Sequence, residues 1–190
     1  HRKYICDVWG ISDDELPEAG VSVVEMFDKM REGEVKGFIS LCNNGMVSLP
    51  DVNSIRQSLE GLEFNVNIDF LMSEASRYAD VILPGTSWAE DEGVVASAEA
   101  RVIKINKAIE PIGDSRTDWW ILCEIAKRMG REKYFKFNSP RDIFDEMRVA
   151  SKGGKADYYG MSYEKIERQN GVMWPCPTEE STGTPRMFED

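Results

Sequence analysis

Apolar residues recur at helical spacing over 21–30, where Val23, Met26, Phe27 and Met30 fall on one face and the run stops before Gly33. A short apolar run over 35–41 then predicts a strand, closed by the turn residues Asn43, Asn44 and Gly45. Pro50 and Asp51 open a second helical pattern through Ile55, Leu59 and Leu62, and 64–68 reads as a second strand ending at Asp69. A short helix over 73–78 leads into a third strand over 79–85, stopped by Pro84 and Gly85. Strand, helix, strand, helix, strand at this spacing predicts an α/β fold: a Rossmann-like, three-layer arrangement built on a parallel sheet with crossover helices. Further on, 88–93 reads as a polar loop and 101–105 as a strand. Helices are expected over 118–129, with Gly130 just past the end, over 139–150, and briefly over 163–169. From Met173 the chain reads as an extended linker that ends without a closing element, as a fragment of a larger subunit would. This divides the chain into a Rossmann-like domain, 1–150, and an irregular C-terminal extension, 151–190.

Composition narrows the function classes. The 190 residues are 42% hydrophobic and 10% aromatic, enough for a packed core. A net charge of -11 argues against a phosphate-neutralising surface, so nucleic acid is not an expected partner. No run of about 18 apolar residues appears, and the N-terminal residues are not followed by an apolar signal stretch, so neither membrane insertion nor export is expected. Cys6, Cys42, Cys123 and Cys176 lie too far apart for a zinc or iron-sulfur loop and are read as reduced, buried thiols. The single histidine is His1, which removes histidine-based acid-base or metal chemistry from the rest of the chain.

In parallel sheets ligands bind beyond the carboxyl ends of the strands. Those ends carry Asn43 and Asn44, then Asp69, then Gly85, Thr86 and Ser87, all small or polar, as a nucleotide-sized ligand requires. Neither a Gly-x-Gly-x-x-Gly fingerprint nor a Walker loop is present. Asp118 stands where a helix N-cap or an acidic first-turn residue would. The acidic run Glu90, Asp91 and Glu92 is read as a solvated loop or a brace for its neighbours, not as catalytic carboxylates. Trp119 and Trp120 are read as packing residues.

The blocks Asn44-Gly45-Met46-Val47-Ser48-Leu49-Pro50-Asp51, Ile68-Asp69 and Ala79-Asp80-Val81-Ile82-Leu83-Pro84-Gly85-Thr86-Ser87-Trp88-Ala89-Glu90-Asp91-Glu92-Gly93 are similar to the prokaryotic molybdopterin oxidoreductases, the dimethyl sulfoxide reductase superfamily. Arg101-Val102, Lys107 to Pro111, Thr117-Asp118-Trp119 and Gly171 to Pro177 follow in that family's order. The resemblance implies an internal piece of a catalytic subunit that holds molybdenum or tungsten between two pterin guanine dinucleotides, in an enzyme of formate dehydrogenase or nitrate reductase type. It places the metal ligand and the iron-sulfur cysteines in a segment N-terminal to this one, and Cys42 does not match that metal ligand. By itself the fragment is expected to be inactive.

Carried over position by position, the resemblance assigns cofactor contacts to Asn44, Ser48, Asp69, Gly85 and Asp118, with no catalytic or metal-ligating residue in the chain. Asp69 matches the Asp of a Gln-Asp pair, but here Ile68 stands in place of the Gln. Asp118 matches a residue that receives the guanine edge, whose ring N–H and exocyclic amine suit a carboxylate. Expected partners are the rest of the same catalytic subunit and an electron-transfer subunit or protein, in the cytoplasm. Two readings stand beside this one: a free-standing nucleotide-binding module and a non-catalytic docking domain with an acidic surface.

Overall fold

A computed structural model describes residues 1–187. In chain order its elements are α1 (Arg2–Trp9), α2 (Val23–Arg31), β1 (Gly37–Leu41), α3 (Gly45–Ser48), α4 (Val52–Glu60), β2 (Phe64–Asp69), β3 (Val81–Pro84), β4 (Gly93–Ala96), β5 (Arg101–Ile105), α5 (Asp118–Arg128), α6 (Pro140–Ser151), α7 (Tyr163–Arg168) and β6 (Val172–Met173). Two compact units are interleaved along the chain: residues 18–90 with 110–122, and residues 1–17 with 91–109 and 123–190.

The first unit carries the expected parallel sheet, in the order β1-β2-β3. Helix α2 starts where the Ser22 hydroxyl accepts from the Glu25 N–H, and α4 starts where the Asp51 carboxylate accepts from the Ser54 N–H. Their apolar stripes meet as one cluster of Phe27, Met30, Ile55 and Leu59, and Phe38 of β1 and Tyr78 pack against it. Tyr78 closes a 3₁₀ turn, Ala75–Tyr78, on the β2-to-β3 crossover. Both crossovers therefore lie on one face, as right-handed connections between sequential neighbours require.

Side chains alternate across a strand, so the parallel register puts Phe38, Ser40, Asn65 and Asn67 on that helix-covered face. Two buried asparagines there need partners. The Asn67 amide donates to the Ser40 hydroxyl at 2.7 Å and its carbonyl accepts from Ser76 at 2.8 Å, while the Asn65 amide donates to the Tyr78 carbonyl at 3.0 Å. On the opposite face Val66 and Ile68 are buried, and Ile39 and Leu41 of the edge strand are exposed.

The second unit differs from expectation. β4, β5 and β6 form an antiparallel sheet. The stretch expected to be an extension from residue 151 supplies most of this unit's core: Met161, Tyr163, Ile166, Val172 and Cys176 are buried with Val102 and Phe144. It therefore does not trail as a linker, and no boundary between the compact units falls at residue 150. Residues 172–177 have no long periodic run because they are anchored residue by residue: Trp174 N–H donates to the Ala100 carbonyl and Cys176 N–H to the Asp157 carbonyl. Helix α1 was also not expected. Its Arg2 guanidinium donates to the backbone carbonyls of Asp13, Leu16 and Pro17, a tertiary contact without periodicity.

Ile68 is completely buried. Ile68→Ala should cost about 2–5 kcal/mol, the range for a fully buried aliphatic truncation, measured by urea unfolding. Ile39→Ala, at a half-exposed position of the same face, should cost clearly less.

Candidate functional site

The carboxyl ends of β1 and β2 and the residue after β3 meet the first turn of α5. Past β1, Cys42 continues the ladder through its N–H to the Ile68 carbonyl and then turns left-handed, at φ 49°. Past β3, the Gly85 N–H donates to the Asp69 carbonyl at 3.0 Å. The returning chain is fixed by the Arg116 N–H on the Pro84 carbonyl at 3.0 Å, which delivers Asp118 to the same place.

Asp118 is not a helix cap. One of its oxygens, Oδ2, accepts from the Cys42 thiol at 3.2 Å. The other, Oδ1, is buried and has no hydrogen-bond partner among the described residues. A Cβ at position 85 would stand 2.6 Å from that oxygen, so glycine is what admits the carboxylate. Burial, together with the hydrogen bond and charge of Asp118 and the charge of Asp69, pushes the Cys42 thiol up to about 12. It is a protonated donor at neutral pH.

The five positions singled out in the sequence separate into two groups. Asp69, Gly85 and Asp118 converge, and Asp69 also takes a long bond, 3.4 Å, from the Leu71 N–H. Asn44 and Ser48 serve the loop after β1. The Asn44 amide donates to Glu74 at 2.6 Å, its carbonyl accepts from the Ala75 N–H, and Ser48 donates to the Asn44 backbone carbonyl at 3.0 Å. Cys42 is the member that sequence reasoning missed. The residue is exposed overall, with only its sulfur partly buried against Asp118, so it is not the buried thiol expected, and only its position one residue past a strand end could have drawn attention to it. All four cysteines are unpaired.

Glu90 is the brace: it is buried and accepts from the Ser87 N–H and hydroxyl at 2.8 Å each and from the Ile112 N–H at 2.7 Å. These bonds, those from Ser87 first, hold its carboxyl below the usual glutamate range. Exposed apolar residues follow each strand of the sheet along the chain: Val47 on α3, then Phe70, Leu71 and Met72 directly after β2, then Trp88 after β3. No cluster of three metal-ligating side chains exists among the described residues, and none of the described helices is long and apolar enough to cross a membrane.

Burial raises the Asp118 carboxyl above the ordinary aspartate range, the Cys42 thiol partly offsets this, and the charge of Asp69 adds to it. An acid whose pKa is higher in the folded state favours folding below its unfolded value, here 3.8, and that advantage is lost as the pH rises through the folded value. At neutral pH the charge therefore opposes folding. Asp118→Asn should raise the urea midpoint at pH 7, and the gain should vanish below pH 3.8. Gly85→Ala should act oppositely: by displacing the carboxylate it should lower both the urea midpoint and the stability, the latter by about 1–3 kcal/mol, and combining it with Asp118→Ala should recover part of that loss.

The model of the molybdopterin oxidoreductase family matches residues 12–128. The assimilatory nitrate reductase catalytic subunit of Bacillus subtilis (strain 168) is 45% identical over 191 aligned positions, covering 100% of this chain and 27% of that protein. The F420-dependent formate dehydrogenase 1 subunit alpha of Methanococcus maripaludis is 36% identical, over 97% of this chain and 26% of that protein. Acetylene hydratase from Pelobacter acetylenicus shares the fold, with a TM-score of 0.64 at 22% identity over 79% of this chain and 20% of that one. The chain thus spans about a quarter of the length of these curated relatives. Asp69, Gly85 and Asp118 all lie within the matched residues, and the chain belongs to the molybdopterin oxidoreductase family.

Proposed function

We propose that this chain is the part of a molybdenum or tungsten oxidoreductase subunit that grips the guanine end of a molybdopterin guanine dinucleotide, with Asp118 as the base-reading residue. The observation that carries the reading is the state of its carboxylate. Oδ1 has no donor and Oδ2 has only a thiol, the weakest of the usual side-chain donors. A guanine ring N–H and exocyclic amine are two stronger donors side by side, and a carboxylate accepts both through charge-assisted bonds. The residues present therefore fit the group. Gly85 keeps the space beside the carboxylate clear, Asp69 offers a second acceptor at the end of β2, and Asn44 and Ser48 shape the loop that would flank the nucleotide.

When bound, the cofactor supplies the electron and oxygen-atom or hydride chemistry. The chain's contribution is to bind and orient it. The metal ligand and the iron-sulfur cluster belong, in this reading, to an N-terminal part of the same subunit, and electrons reach it through a separate electron-transfer subunit or protein. The 45% identity to an assimilatory nitrate reductase favours nitrate over formate as the parent enzyme's substrate. Four unpaired cysteines suit the reducing cytoplasm.

Calorimetric titration with guanosine and adenosine monophosphates tests the grip. Guanosine monophosphate should bind at least about tenfold more tightly, the difference that even one charge-assisted bond provides, and Asp118→Ala should erase the preference. Equal or absent binding of both nucleotides, indifferent to Asp118→Ala, sinks the reading.

A further inference from the structure

Lys165 on α7 is 4% exposed, and no carboxylate is among its hydrogen-bond partners. An isolated buried charge is strongly disfavoured, so something other than an ion pair must solvate it. Its Nζ lies 2.6 Å from the Ser181 carbonyl, 2.9 Å from Gly160, 3.0 Å from Glu179 and 3.4 Å from Thr178, with the Cys176 sulfur at 3.2 Å. An ammonium has three protons to donate, yet five acceptors surround it. That is a coordination shell of dipoles, the arrangement by which rings of backbone carbonyls replace the water around an alkali cation.

The shell is built into the backbone. A turn closed by the Ser181 N–H on the Thr178 carbonyl brings three of the carbonyls together. The Gly160 N–H holds the Cys176 carbonyl at 2.7 Å, and a Cβ at position 160 would lie 1.9 Å from the Thr178 oxygen, so the turn seats directly on a glycine. The carbonyls converge on one point, and the lysine stem is the plug that reaches it.

We propose that the Lys165 ammonium occupies a monovalent-cation site formed by Gly160, Cys176 and the turn at 178–181, so that a chain lacking that ammonium binds potassium or ammonium ion from solution in its place. The ligand class follows from the shell: neutral carbonyl dipoles suit a singly charged ion, whereas divalent cations call for carboxylate ligands. The site lies outside the residues matched by the family model and does not depend on the nucleotide reading.

Thermal unfolding of the full chain, followed by circular dichroism in chlorides of potassium, ammonium and tetramethylammonium at equal ionic strength, tests this. The parent chain should melt at one midpoint in all three salts. Lys165→Ala, which empties the stem channel, should melt lower in tetramethylammonium and regain at least half of the loss, saturably, in potassium or ammonium. Lys165→Met fills the channel without a charge and should be destabilised and indifferent to the salt. A Lys165→Ala chain that melts at one midpoint in all three salts, or stays unfolded in all three, overturns the proposal. So does a Lys165→Met chain as stable as the parent, because the shell would then need no cation.

Discussion

Everything at the carboxyl edge of the parallel sheet depends on β2 being paired along both sides. Its backbone is satisfied by β1 and β3, which allows a strand carrying two buried asparagines to sit at the centre of a sheet. Ser40 and Ser76 bond to the two ends of the Asn67 amide, which favours this register, while the Asn65 side-chain carbonyl is buried without a partner among the described residues. With the register set, three strand ends are brought side by side, and Asp69, Cys42 and Gly85 occupy neighbouring places without any contact between them in sequence.

The same arrangement creates a conflict between stability and chemistry. A partly buried carboxylate with one unbonded oxygen is costly to the fold, and Gly85 and the Cys42 thiol are what make it tolerable. Such unsatisfied groups concentrate where a protein meets its ligand. The glycine works by absence, and the thiol provides a bond weak enough to give up.

Much of this was legible in the chain. The apolar stripe of Val23, Met26, Phe27 and Met30, the short strand runs and the Pro84-Gly85 stop produced the parallel-sheet unit, because burial on one face leaves a period in the sequence. Asp69, Gly85 and Asp118 were legible as strand-end and family positions. What escaped has no period. Strand β6 is two residues long, β4 presents only four, and α1 is tied down by separate long-range bonds from Arg2, Tyr4 and Trp9. The part played by Cys42 depends on a left-handed backbone at one residue and on an aspartate 76 positions away, and no local pattern encodes either. Asn44 was legible as a strand-end residue, but its engagement with Glu74 is visible only once the crossover is folded.

The succession Phe70, Leu71 and Met72, exposed directly after β2, has a further consequence for how such a chain behaves in solution. Three adjoining apolar side chains open to water are adhesive, and what holds copies apart is the mutual repulsion of a net charge of -11. Dissolved salt shortens the reach of that repulsion while leaving the apolar attraction in place. Colloidal stability of the separated chain is therefore borrowed from low ionic strength, and a surface that covers those three residues would make it independent of salt.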